Sequence, residues 1–196
     1  MTVVYNRIAL IGLGLIASSM FWSIRRGNLA QEVVGFAKSE KTRDTAKSIG
    51  LCDHVFNNLK DTVNDADLVV LCTPVGVMGE VVEQIAPYLK KGATLSDVGS
   101  VKRAVLDAVE PLMPQDVYFV PAHPLAGTEH SGPESGFSSL FENRWCILVP
   151  TTSSTPNAVE KLTRLWTGMG ALVDQMDADH HDLVLAVTSH APHLIA

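Results

Sequence analysis

The chain has 196 residues, more than one average domain and too few for two full-sized ones. Hydrophobic residues make up 46% and charged residues 18%, which excludes a disordered chain and supplies a sizeable core. The formal net charge of −6 argues against a broad basic face for nucleic acid, while leaving room for a local cationic pocket.

Short apolar runs alternate with helical patterns from the start. Residues 7–11 (RIALI) predict a buried strand, and 15–26 a helix ending near Gly27. A second strand is expected over 32–37. A polar helix follows, with Ser39 as N-cap and Gly50 as its stop. Residues 54–56 predict a short third strand, and 67–72 (DLVVLC) a strong fourth one running into Thr73-Pro74. A helix over 77–89, a strand over 94–98, a helix over 101–112 and a strand over 117–120 come next. Residues 123–136 read as a Gly/Ser/Pro-rich loop, 146–149 as a strand, 156–168 as a helix and 171–175 as a last strand. From Asp177 the pattern is helical. This alternation predicts an α/β fold with a mostly parallel, doubly wound sheet and helices on both faces.

The first βα turn reads Gly12-Leu13-Gly14-Leu15-Ile16-Ala17, a G-x-G-x-x-A pattern. Gly12 permits the tight turn, Gly14 lets a pyrophosphate approach the backbone, and Ala17 allows close helix–strand packing. The following helix offers unpaired N–H groups and a positive dipole end. Placed between a strand and a helix, the motif predicts a Rossmann-type dinucleotide site; a glycine turn serving only packing is the competing reading. NAD sites tend to carry an acid at the end of the second strand, where this chain has Ala37, then Lys38 and Ser39. Without a carboxylate a 2′-phosphate is not repelled, and an ammonium and a hydroxyl could hold it. NADP is therefore favoured over NAD; the alternative leaves Lys38 as a solvated surface side chain.

Three segments fall at the ends of the fourth, fifth and sixth strands, where such folds bind ligands: 72–75, 97–102 and 121–129. Thr73 and Pro74 are expected to line the nicotinamide side. Ser100 is a site candidate, with N-capping of the next helix as its bland alternative. His123, stiffened by Pro121 and Pro124, is the candidate general base, since imidazole titrates near working pH.

Four motifs now stand together: GLGLIASS at 12–19, DVGSVK at 97–102, HPLAGTEHSG at 123–132 and HHDLVLAVTSHAPHLIA at 180–196. With them the sequence resembles the prephenate/arogenate (cyclohexadienyl) dehydrogenases of tyrosine biosynthesis over essentially its whole length. The resemblance implies a Rossmann domain followed by a helical dimerisation domain, and oxidation of a cyclohexadienol with loss of CO2. It implies that His123 takes the ring hydroxyl proton, with Ser100 as its partner. It places Glu129, Thr128, His190 and His193 on the substrate side, and Gly12, Gly14, Leu15, Ile16, Ala17, Ala37, Lys38, Ser39, Thr73 and Pro74 at the cofactor. Family members often have Gly where Ala17 stands, and NAD-using members an acid where Ala37 stands. A small-molecule substrate and a homodimer of the full-length protein are the implied partners, with no nucleic acid and no membrane.

Of the histidines near the end, His180 and His181 read as solvated first-turn residues. His190 and His193 share a helix face, and Pro192 predicts a kink. Without H-E-x-x-H or a cysteine pair, no metal site is expected. Cys52, Cys72 and Cys146 read as buried reduced thiols. With no signal peptide pattern and no run of about 20 apolar residues, the expected location is cytoplasmic. The apolar end (Leu183, Val184, Leu185, Val187, Leu194, Ile195) reads as the first helix of a truncated second domain, giving domains over 1–176 and 177–196. Two other functions remain open: a dinucleotide-binding module without catalysis, and a different dehydrogenase such as a β-hydroxyacid dehydrogenase. The first leaves the 123–132 motif unexplained; the second would bring a catalytic lysine rather than histidines.

Overall fold

A parallel strand covered on both faces must be apolar at successive positions, and LVVL of β4 (Leu68–Leu71) is buried at all four. The computed structural model describes residues 2–187. Within them β4 lies in a six-stranded parallel sheet with β1 (Tyr5–Ile11), β2 (Ala30–Phe36), β3 (His54–Phe56), β5 (Thr94–Asp97) and β6 (Tyr118–Phe119). The strand order is β3-β2-β1-β4-β5-β6. This is the doubly wound order whose direction reverses between β1 and β4, opening a crevice at their C-terminal ends.

Alternate side chains of each strand feed two apolar layers. Ile8, Leu10, Leu68 and Val70 pack with Met20 and Ile24 of α1 (Leu15–Gly27) and with Leu165 and Trp166 of α6 (Pro156–Gly168). Ala9, Ile11, Val69 and Leu71 pack with Met78, Val82 and Ile85 of α4 (Met78–Ile85) and with Val105 and Val109 of α5 (Lys102–Val109). The expected α/β architecture with helices on both faces is therefore present.

Several details differ from the sequence expectation. The last strands do not extend the main sheet. β7 (Ala122–Pro124), β8 (Trp145–Leu148) and β9 (Leu172–Gln175) form a second sheet, β7 antiparallel and β9 parallel to β8. The segment read as a loop from His123 thus begins as a strand, because Ala122, His123 and Pro124 find partners in Leu148, Ile147 and Cys146, more than 20 residues away. β6 shrinks to two residues. A short helix, α3 (Leu59–Val63), went unanticipated; Asn58 caps it by accepting the Asp61 N–H at 2.8 Å. α1 does end at Gly27, but the left-handed turn after it falls on Asn28, whose φ of 50° is a conformation that asparagine tolerates. α2 (Glu40–Ser48) starts as expected, with Ser39 accepting from the Thr42 N–H.

α7 (Ala178–Leu185) opens on Asp177, which accepts the His180 N–H at 2.9 Å. It turns Leu185 inward and leaves Leu183 and Val187, just beyond its end, 65% exposed. His190, Pro192, His193, Leu194 and Ile195 lie outside the described residues. The three cysteines are unbridged. Burial pushes the Cys52 thiol up to about 12, and Cys72 and Cys146 upward as well, so all three stay protonated and unreactive near neutral pH.

Candidate active site

The crevice begins at the glycine turn. Gly12 has a φ of 96°, and a Cβ there would lie 2.7 Å from the Cys72 carbonyl oxygen, so only glycine fits. Its N–H donates to the Phe36 carbonyl at 2.8 Å, joining the ends of β1 and β2. Gly14 is different. Its φ of −102° suits any residue, yet no atom lies within 4 Å of where a Cβ would stand. Its absent side chain leaves open space over the first turn of α1, which has no side-chain cap and no acid. Leu15 and Ile16 form that turn, and Ala17 is buried against the core.

Beside the turn lies a cavity of about 370 Å³ lined by Gly12, Phe36, Lys38, Thr73, Pro74 and Glu80, among others. The Thr73 hydroxyl is buried without a hydrogen-bond partner, an unmet polar group that a bound ligand would satisfy. Open space at Gly14, uncapped N–H groups and an unmet hydroxyl together fit a dinucleotide. A larger, shallower depression of about 570 Å³ lies by Thr151, Glu160 and Arg164, but none of the candidate residues lines it.

At the end of β2, Ala37 is buried and Lys38 exposed. Arg43 donates to the carbonyls of Ala37 and Lys38 at 2.8 and 2.9 Å, buttressing the turn, while Ser39 is engaged as the α2 cap. Lys38 therefore stands at the rim of the cavity with Glu80, a carboxylate that sequence reading missed. The apolar face of α4 and the aromatic end of β2 were the available signals for this wall.

The other half of the site is made of side chains. Asp97 ends β5 and Lys102 begins α5; both side chains are fully buried and paired at 2.5 Å. Lys102 Nζ also donates to the Ala122 carbonyl at 2.8 Å, and Asp97 accepts the Gly99 N–H at 2.7 Å. This buried pair ties the start of β7 to the end of β5 and so positions His123. The His123 ring, only 8% exposed, has its Nδ1 2.9 Å from His181 Nε2. His181 Nδ1 in turn lies 2.7 Å from the Asp182 carboxylate.

His181 thus departs from expectation. It is fully buried rather than solvated, because α7 docks on α5 and turns this side chain toward β7. Burial holds its pKa below the ordinary value, with Asp182 partly offsetting. Burial also acts to raise the Asp182 carboxyl, but the N–H groups of Lys102 and Arg103 and the His181 ring outweigh it and hold it low. The adjacent His-Asp pair at a helix start was the only sequence signal. His180, by contrast, is exposed as expected.

Ser100 is exposed on the β5–α5 loop. It does not cap α5 through its side chain: Val101 holds the N-cap position, and Asp182 reaches across from α7 to accept the N–H groups of Lys102 and Arg103 at 2.7 and 2.9 Å. Glu129 is 84% exposed, 3.5 Å from His130 Nε2, and the Thr128 hydroxyl accepts the His130 N–H at 3.2 Å. Both stand on the loop after β7. His190 and His193 fall outside the described residues. Among the described residues no group of three or more His, Cys, Asp or Glu could hold a metal ion, and no helix is long and apolar enough to cross a membrane.

Comparison with known proteins agrees with this architecture. Residues 22–175 match the family model for the prephenate dehydrogenase nucleotide-binding domain. The chain is 42% identical over 193 residues to cyclohexadienyl dehydrogenase of Zymomonas mobilis, covering 98% of this chain and 66% of that protein. It superposes with a TM-score of 0.89 on prephenate dehydrogenase of Aquifex aeolicus in complex with hydroxyphenyl propionate and NAD+, at 29% identity, covering 97% of this chain and 66% of that one. For Synechocystis arogenate dehydrogenase the TM-score is 0.87 and the identity 28%, over 96% and 66% of the two chains. The chain thus spans just under two thirds of the length of these relatives. Its crevice, its parallel sheet and a family match over most of its residues lead to one conclusion: the chain belongs to the prephenate dehydrogenase family and carries that family's nucleotide-binding domain.

Proposed function

We propose that this protein is the dinucleotide-binding part of a dehydrogenase that oxidatively decarboxylates prephenate, arogenate or both, to 4-hydroxyphenylpyruvate or tyrosine. The observation that carries the reading is His123, a nearly buried imidazole anchored at the C-terminal edge of the sheet by Asp97, Lys102 and His181. When bound, the nicotinamide ring supplies the hydride acceptor. Gly12, Gly14 and the first turn of α1 hold the pyrophosphate, and Thr73 and Pro74 line the nicotinamide side. His123 takes the ring-hydroxyl proton as the C4–H bond breaks. The electrons of the ring–carboxylate bond then flow into the ring as CO2 leaves, and aromatisation drives that step. The protein's part is positioning and proton removal. Ser100, Thr128, Glu129, His190 and His193 are assigned to the substrate side by the family resemblance, and the full-length protein is read as a homodimer.

The cofactor reading favours NADP, on the absence of an acid at Ala37 and the presence of Lys38 at the cavity rim. Glu80 on the same cavity works against it. One experiment tests both halves: initial rates of the complete gene product with prephenate and arogenate, each with NAD and NADP, for wild type, His123→Asn and Lys38→Ala. We expect turnover of at least one substrate and a kcat lower by a factor on the order of 10²–10⁴ in His123→Asn. A higher kcat/KM with NAD than with NADP overturns the cofactor preference, while an equal effect on both cofactors in Lys38→Ala makes Lys38 a solvated surface side chain. Full activity in His123→Asn removes the base assignment.

A further inference from the structure

We propose that His181 and Asp182 are positioning residues that fix the tautomer of His123, so that its Nε2 carries the lone pair that removes the substrate proton. The inference rests on the reading of His123 as the base and adds the device that prepares it.

The argument starts at Asp182. Its Oδ1 accepts the Lys102 N–H and its Oδ2 the Arg103 N–H, and the same Oδ1 lies 2.7 Å from His181 Nδ1. These N–H groups hold the carboxyl ionised, and an ionised carboxylate only accepts. His181 Nδ1 must therefore carry a hydrogen. Burial keeps His181 neutral, and a neutral imidazole has one donor and one acceptor, so its Nε2 is the acceptor. That nitrogen is 2.9 Å from His123 Nδ1, which must then be the donor. A neutral His123 protonated at Nδ1 has its lone pair at Nε2. Each assignment forces the next, as in other buried chains where an outer carboxylate sets the tautomer of a working imidazole.

The same bonds serve the next moment of the reaction. When the substrate O–H bond breaks, its proton forms a new N–H bond at His123 Nε2, and the ring becomes an imidazolium. Its Nδ1–H stays where it was and donates more strongly to His181, which Asp182 supports. No proton travels along the chain, and nothing is oxidised or reduced by it. Both positioning residues belong to α7, and Asp182 is also what pins α7 to the start of α5. Docking of α7 and readiness of the base are therefore one structural event. Arg103 adds a second tie, donating to Asp179 at 2.6 Å.

The test is long-range ¹H–¹⁵N spectroscopy of histidine-labelled complete protein near neutral pH, with steady-state kinetics alongside. In wild type, His123 and His181 are both expected to carry their proton on Nδ1 and none on Nε2. His181→Leu removes the acceptor, so His123 should lose its fixed tautomer and shift population to Nε2–H. Its kcat should fall by about 100-fold or more, with KM changed by less than about threefold. His181→Gln, whose amide can accept from His123 and donate to Asp182, should recover activity to within about tenfold of wild type. Should the leucine variant fail to fold, the wild-type spectrum and the glutamine variant still decide. A wild-type His123 protonated at Nε2 overturns the proposal; so does a His123 spectrum that His181→Leu leaves unchanged, or a glutamine variant no better than leucine. If the protein oxidises neither substrate, the reading of the reaction falls, while the spectra independently decide the tautomer chain.

Discussion

At the ends of β1 and β4 the crevice is made of backbone. Gly12 turns with a positive φ against the Cys72 carbonyl, Gly14 leaves space, and α1 presents uncapped N–H groups. At the ends of β5 and β7 it is made of side chains: a buried Asp97–Lys102 pair beneath, and the ring of His123 held by His181 and Asp182. The first half depends on shape over a few consecutive residues. The second depends on charges and ring nitrogens brought together from positions 97 to 182 of the chain. Backbone sites should thus fail by steric intrusion at one residue, and side-chain sites by loss of a partner at a distance.

The largest effect should come from the buried pair. Lys102→Met leaves the Asp97 carboxylate uncompensated in a site with no solvent access, which costs about 3–5 kcal/mol. Adding Asp97→Asn should recover part of that loss, because the unpaired charge is gone. Urea unfolding midpoints measure both. A single variant within about 1 kcal/mol of wild type would mean that the pair holds nothing in place.

The glycines sharpen the contrast from the other side. Gly12→Ala meets the Cys72 carbonyl at 2.7 Å and demands a left-handed backbone, so it should cost at least about 2 kcal/mol. Gly14→Ala meets no atom of the protein within 4 Å and should leave the melting temperature almost unchanged. Its methyl group would instead stand in the space read as the pyrophosphate's, weakening NAD(P) binding by about tenfold or more. Titration calorimetry with each variant checks this. Unchanged cofactor affinity in Gly14→Ala would move the phosphate site elsewhere.

The smallest effect is in pH. His181 is held below its ordinary value by burial, so on acidification the unfolded chain takes up its proton before the folded one does. The contribution of His181 is complete above about pH 6.5 and is lost as pH falls from there toward the folded value. Asp182 and Asp67 are carboxylates held low, Asp67 by the Lys90 ammonium and backbone N–H groups against an opposing effect of burial. Their contributions persist to lower pH and are lost only as pH falls through their depressed range. Unfolding midpoints across pH 8 to 5 should decline in wild type and decline less in His181→Gln. Equal slopes would take His181 out of the acid response.

Much of this was legible in the residues alone. The order of strands and helices, the glycine turn at Gly12 and Gly14, the Ser39 cap and the candidacy of His123 all follow from local pattern: buried runs, a G-x-G between a strand and a helix, a histidine between prolines. Each depends on residues close together in the chain, and local sterics act over that range. The splitting of the sheet after β6, the burial of His181 and the capping of α5 by Asp182 rather than Ser100 do not follow from local pattern. They arise where β7 pairs with β8 and where α7 lands on α5, contacts between segments 20 to 80 residues apart. A His-Asp pair at the start of a helix is equally compatible with water or with a core until something is packed against it. The sequence by itself determined that a glycine turn between strand and helix and a candidate base exist. Only the tertiary structure decided which groups surround that base, because the tautomer of an imidazole is set by whichever donor or acceptor the fold brings within hydrogen-bonding distance.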